Sequence, residues 1–268
     1  MPKFMFVEPN FMVGWTAKYT DSVMLESTKI RADAYAISQI NAFKNIWINN
    51  GEYEAFLSKS HQLVYIHPSY AKIIQKQIQL AQTFSRMGKR IYFIIPDKMY
   101  NAMATTELFY AYSSIIADKL DLNNNKNIKL VLVVQASSPK DAEIMLNRIG
   151  KPAKYYKATK ISIFAVPKKV RELNNWNEIK NAILKNVPLK QIHYLGFTQN
   201  DVHDSVFNKI HSISTKYPIK KAINSALKDY NINVERDYFS IHPSILNASI
   251  RNSIEYEIKA FKNLFKGV

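Results

Sequence analysis

The amino-acid sequence predicts an α/β fold, a (β/α)8 TIM-like barrel forming a single domain over residues 1–268, and three observations lead there. Short β-rich apolar runs recur along the chain, capped helical patterns separate them, and the strands number about eight in a length that suits one barrel. An open doubly wound sheet is the rival architecture, because alternation alone does not prove closure.

The first strand is expected at Phe4–Val7 or Phe11–Trp15. Apolar runs then follow at Asn45–Asn49 (NIWIN), Leu63–His67 (LVYIH), Arg90–Ile95 (RIYFII), Lys129–Gln135 (KLVLVVQ), Ile161–Val166 (ISIFAV) and Gln191–Phe197 (QIHYLGF), with a last strand at Ile210–Ser214. Most are rich in β-branched or aromatic residues, as strands buried on both faces are. Helical patterns fill the gaps at Tyr70–Met87, Thr105–Leu120, Lys140–Ile149, Asn177–Asn186 and Asp201–Lys209. Most open with Pro, Ser, Thr, Asp or Asn, residues that suit a helix start. Strands alternating with helices imply parallel pairing through crossovers. Near the end, Ile245, Ile250, Ile254, Ile258, Phe261 and Phe265 make a helical stripe within Pro243–Phe265 that would pack across the barrel. Asn123–Asn127 (NNNKN) reads as a short polar loop.

Composition narrows the chemistry. Hydrophobic residues at 47% and charged ones at 22% are ordinary globular usage. No run reaches the roughly 18 apolar residues of a membrane span, and the first residues lack the order of a signal peptide. The expectation is no membrane association and a cytoplasmic location. Without cysteine there is no disulfide, no thiolate nucleophile and no Cys-based metal site. A formal charge of +16 points to a polyanionic partner, above all nucleic acid. Abundant Lys, Asn, Ile and Tyr beside 6 Gly also fit AT-rich coding of a viral or phage genome, which would make the location host cytoplasm and the charge merely a basic surface.

Several side chains at strand ends carry possible chemistry. Asp97 follows an apolar strand, and its carboxylate at a barrel's carboxyl mouth could accept hydrogen bonds from a ligand; the alternative is a cap on the next helix. Gln135 ends the most apolar strand and could present its amide to the same ligand, or be a satisfied polar end. Tyr53 could stack on a flipped base or simply pack. Lys168, Lys169 and Arg171 after one strand, and Lys216, Lys220 and Lys221 after another, would form a phosphate-binding rim or a solvated basic face. Asp201 and Asp204 read as caps or solvated charges. His67, His193 and His242 are too dispersed to ligate a metal, so no metal and no cofactor are expected, and His193 fits simply as part of its strand. His211 and Ser214, three apart, would face opposite sides of a strand.

Ile192–Tyr217, running HYLGFTQNDVHDSVFNKIHSISTKY after the first Ile, resembles the HYLMG segment, helix and nucleophile strand of the guanine transglycosylase superfamily, the tRNA-guanine enzymes and their phage DNA-modifying relatives. Ile46–Glu54 (IWINNGEYE) looks like that family's DSGGYQ or DNGAFE segment, Ile94–Asp97 (IIPD) like its base-recognising strand, and Val133–Ala136 (VVQA) like its VQG turn. The resemblance implies that Asp97 accepts from the N1 and amino hydrogens of a guanine and that Gln135 serves the carbonyl edge of the same base. Phe164–Pro167 (FAVP) stands where the family has a glycine-containing loop, which makes Ala165 a base-contact position, and Asn252–Phe261 resembles its closing helix.

The resemblance covers roughly residues 45 to 265 and implies a glycosyltransferase barrel that exchanges guanine in DNA or tRNA for a 7-deazaguanine through a covalent Asp–ribose bond. Two departures matter: Asn49 stands where the family has an Asp, and Ser214 where it has the nucleophilic Asp. An amide is no base, and a serine hydroxyl needs one beside it. The family's zinc site of three Cys and a His has no counterpart over Lys220–Tyr238, so the zinc subdomain is expected to be absent. Three readings follow: a barrel that binds guanine or 7-deazaguanine in nucleic acid without the nucleophile, as a homodimer or as a heterodimer with an active subunit; an active base-modifying enzyme with rewired residues such as Asp97; or a basic α/β nucleic-acid-binding or structural protein in which Asn49, Asp97, Gln135 and Ser214 do not share a pocket.

Overall fold

In the computed structural model the described residues are 3–7, 14–30, 34–51, 70–150, 161–197, 199–226 and 248–264. Eight parallel strands close into a ring in chain order: β1 (Lys3–Val7), β2 (Ser22–Glu26), β3 (Asn45–Asn49), β4 (Arg90–Ile94), β5 (Ile128–Val133), β6 (Ile161–Pro167), β7 (Ile192–Leu195) and β8 (Ser212–Thr215). The helices are α1 (Ala34–Ile40), α2 (Tyr70–Arg86), α3 (Ala102–Lys119), α4 (Pro139–Gly150), α5 (Lys168–Arg171), α6 (Trp176–Leu184), α7 (Tyr217–Ala226) and α8 (Ala248–Asn263). Closure, which separates a barrel from the open sheet, is made by β1 against β8, with Lys3 to Phe6 in register with Ser212 to Thr215.

The ring reaches eight with one member that sequence reading did not select. Ser22–Glu26 (SVMLE) takes a place in it, with Val23 to Leu25 the whole of its apolar run. Its Ser22 and Glu26 ends read as polar, yet both are buried, because an interior-facing position in a ring is buried whatever its residue type. Leu63–His67 lies outside the described residues, as do 8–13, and β3 pairs directly with β4. The helix expected over Asp201–Lys209 is instead two 3-10 turns, Gln199–His203 and Phe207–Lys209. The break falls at Asp204, whose carboxylate accepts the Val206 N–H at 3.2 Å, a local bond that competes with helix continuation.

Strand alternation sends one set of side chains into the ring and the other against the helices. Phe4 and Phe6 leave β1 on the outer side and meet Phe261 of α8 at 6.1 Å between ring centroids, and Phe197 joins them at 5.2 Å edge-on. The stripe Ile250, Ile254, Ile258 and Phe261 is buried, as its helical spacing requires. Replacing Phe261, 1% exposed, by Ala should cost ~3–5 kcal/mol of stability, read from denaturant melts, because three other rings would border the cavity left behind.

Candidate functional site

A cavity of about 320 Å³ opens at the carboxyl ends of the strands. That is near the lower bound of small-ligand pockets, roughly 300–1,000 Å³. Asn49, Asp97, Gln135 and Ser214 all line it, as do Lys168, Lys169, Lys216 and Lys220. A parallel barrel gathers every strand's carboxyl end at one mouth, so the informative point is that these four polar side chains take inward positions there.

One wall is an arc of hydrogen-bonded polar groups crossing β2 to β5. The Asn49 amide donates to both oxygens of Glu26 at 2.9 Å, while its own oxygen accepts the Asn50 N–H at 3.0 Å. Asn50 Nδ2 then donates to Asp97 Oδ1 at 2.6 Å, and Gln135 Nε2 to Asp97 Oδ2 at 2.5 Å. The Gln135 oxygen accepts the Tyr100 N–H at 3.1 Å, which fixes the amide's orientation. Asp97 is therefore not the cap of α3; Asn101 is, accepting the Ala104 N–H. Burial pushes the Asp97 carboxyl above its ordinary range, and the two amide donors offset only part of that. Gly51, at φ +77°, follows this arc; a Cβ there would lie 2.5 Å from the Thr28 hydroxyl, so any side chain at this position would be strained.

The opposite wall belongs to β7 and β8. Ser214 Oγ accepts the Gly196 N–H at 3.3 Å and lies 3.2 Å from His193 Nε2. Below it His193 Nδ1 meets Ser212 Oγ at 2.9 Å, and the same hydroxyl meets His211 Nδ1 at 2.6 Å. His193 is fully buried and stacks on Trp47 at 4.4 Å; Trp47 stacks in turn on Tyr92 at 4.4 Å. Burial, with help from His211 and Arg171, holds the His193 imidazole well below its ordinary pKa, so it is neutral. Burial and the charges of Lys3 and Lys129 bring His211 down to about 4.

Several expected residues fall elsewhere. Arg171 is not part of the lysine rim: it is buried, with Nε and Nη2 on the Asp201 carboxylate at 3.0 and 2.8 Å. Its remaining donors go to the Val166, Leu195 and Gly196 carbonyls, and the guanidinium lies over the Tyr194 ring at 4.3 Å. Asp201 is thus no solvated cap. Asp204 is engaged too, by Lys180, Tyr194 and Trp176; burial pushes its carboxyl up, but these donors and the Val206 N–H hold it below the ordinary value. Ala165 is buried in β6, while Pro167 is the β6 residue that lines the cavity. Tyr53 lies outside the described residues. Lys168 and Lys169 reach the cavity and share Glu172 at 3.3 and 2.9 Å. Sequence reading missed Glu26 because β2 was not recognised, and missed His193 as a partner of Ser214 because contacts across neighbouring strands leave no mark in linear spacing.

No protein-family model matches the chain, and no curated protein matches it. Among the described residues there is no group of three or more His, Asp or Glu able to hold a metal, and no helix long and apolar enough to cross a membrane.

The two histidines weaken the fold towards acid. Below pH 6.5 the unfolded chain takes up a proton at each, which the folded chain refuses until, for His211, about pH 4. Stability should therefore fall as pH drops through that window. His211→Asn, which keeps a polar group near the Nδ1 position but cannot titrate, should flatten the fall in denaturation midpoints measured from pH 7 to 4.

Proposed function

We propose that the protein is a barrel of guanine transglycosylase type that holds a guanine or 7-deazaguanine base of a nucleic acid in its mouth cavity and lacks the aspartate nucleophile. The observation that carries this reading is Asp97, a buried carboxylate held by Asn50 and Gln135 in the cavity wall. A carboxylate accepting from N1–H and the exocyclic amine selects guanine over adenine. The reading in which the motif matches are accidental expects Asn49, Asp97, Gln135 and Ser214 to be scattered; their shared cavity favours the transglycosylase type. Lys168, Lys169, Lys216 and Lys220 at the cavity edge suit phosphates on either side of a flipped nucleotide.

One observation favours a second reading, an active base-exchanging enzyme. Glu26 places a carboxylate in the cavity beside Asn49, in register with it on the neighbouring strand, so an acid is present one strand away from where the family has one. Guanine exchange into DNA or tRNA that is lost in Glu26→Gln would establish that reading over the first.

Calorimetric titration with guanine and 7-deazaguanine should show binding that Asp97→Ala weakens by about 10- to 100-fold, the loss of hydrogen bonds to a charged acceptor. Since the ionised carboxylate is the acceptor, and burial raises its pKa above the ordinary 3.8, wild-type binding should weaken as pH falls through that raised value. No binding of either base would remove the proposal. For the polymer, a Lys168→Ala, Lys216→Ala, Lys220→Ala triple variant should reduce the slope of log affinity against log salt by roughly 2–3 on DNA or RNA.

A further inference from the structure

The interior of a (β/α)8 barrel is normally filled by branched aliphatic side chains. Here a line of four polar groups passes through it. Ser214 stands at the cavity; His193 Nε2 is 3.2 Å from its hydroxyl; His193 Nδ1 is 2.9 Å from Ser212; and Ser212 is 2.6 Å from His211 Nδ1. His211 immediately precedes β8, at the opposite end of the ring from the mouth, and is half-buried beside Lys3 and Lys129. Every member can both donate and accept a proton, since hydroxyls do both and neutral imidazole does one at each nitrogen.

We propose that Ser214, His193, Ser212 and His211 form a proton-conducting column that exchanges a proton between a ligand in the mouth cavity and solvent at the base of the barrel. In the outward direction the ligand gives a proton to Ser214 Oγ as the Ser214 hydroxyl proton passes to His193 Nε2. The proton on His193 Nδ1 passes to Ser212 Oγ, the Ser212 proton to His211 Nδ1, and the proton on His211 Nε2 leaves to water. One proton is transferred in total, each group ends with the number it began with, and no imidazolium is left inside. This suits a site where burial keeps both rings neutral. The Gly196 N–H on Ser214 Oγ stabilises the oxygen while its proton is in transit, and stacking on Trp47 holds the His193 ring between the two hydroxyls.

The column makes a demand that a merely structural cluster does not. Ser212 has one proton, so the chain is continuous only when it accepts from one histidine and donates to the other. His193 and His211 must then be opposite tautomers: Nδ1–H with Nε2–H, or the reverse. The alternative, both carrying Nδ1–H toward Ser212, breaks the chain.

Long-range proton–nitrogen correlation spectra of the full chain labelled at histidine nitrogens read this directly, without any ligand. Opposite neutral tautomers at His193 and His211 are expected; the same tautomer at both, or a charged ring at neutral pH, overturns the column. A second measurement follows the exchange of the His193 ring N–H with water. Ser212→Ala should slow it about tenfold, the rate equivalent of one lost hydrogen bond, and an unchanged rate overturns the proposal even if the tautomers are opposite. If Ser212→Ala fails to fold, the tautomer result on the wild type stands alone. The column requires a ligand in the cavity but not a purine. Failure of guanine titration with opposite tautomers therefore removes the base-binding reading alone, and guanine binding with like tautomers removes the column alone.

Discussion

An eight-stranded ring leaves an interior just wide enough for side chains to fill, and everything else in this protein depends on how that filling is done. Trp47 and Tyr92 lie flat on one another at 8° between ring planes, and the buried His193 covers the other side of Trp47. Flat rings fill the width that branched aliphatics fill in other barrels, but they bring polar edges with them, and each edge needs a partner. Ser212 and Ser214 supply the partners for His193. The polar line through the barrel is thus a consequence of filling the ring with aromatic surface, and it ends in the cavity because β8 ends there.

The β6–β7 side of the mouth is held by a buried cation. Arg171 is buried, and burying a guanidinium costs several kcal/mol unless its donors are met. All of them are: the Asp201 carboxylate takes two, and the carbonyls of Val166, Leu195 and Gly196 take the rest. Those carbonyls close β6 and β7, so the one side chain ties two neighbouring strand ends to the turn carrying Asp201. Gly196 sits within this clamp at φ +75°, where a Cβ would press on Lys168 at 3.3 Å. Its N–H is thereby aimed at Ser214. The geometry of the β8 wall is inherited from a residue that, by its place after a strand, reads as one more member of a phosphate rim.

Architecture was legible in the sequence because it depends on patterns that are local. The runs at Asn45–Asn49, Arg90–Ile95 and Ile161–Val166 are strands within a residue or two, and the Ile250, Ile254, Ile258, Phe261 stripe is a buried helix face. Ser22–Glu26 escaped because its inward positions are Ser, Met and Glu, which no hydrophobic pattern would select. The site was half legible for the same reason. Asp97 and Gln135 could be found because each follows an apolar run, and Asn49 and Ser214 because the motif resemblance marks their positions. Glu26, the Ser214–His193 contact and the burial of Arg171 depend on which strands become neighbours and on a turn that 3-10 geometry bends inward, information that exists only once the ring has closed.

The two walls of the cavity differ in kind, and that difference constrains any ligand. Across β2 to β5 the groups are carboxylates steadied by amides, so this wall offers hydrogen-bond acceptors. Across β7 and β8 the groups are a hydroxyl and a neutral imidazole, which can give or take a proton without holding charge. Lysines occupy the edge rather than the floor, and two of them share Glu172. A ligand matched to this arrangement presents donors to one side, an exchangeable proton to the other, and its negative charge outward. A nucleotide base with its phosphates toward solvent has that distribution. An anion with its charge at the floor does not, because Asp97, already raised by burial, would have to be neutralised before such a ligand could enter.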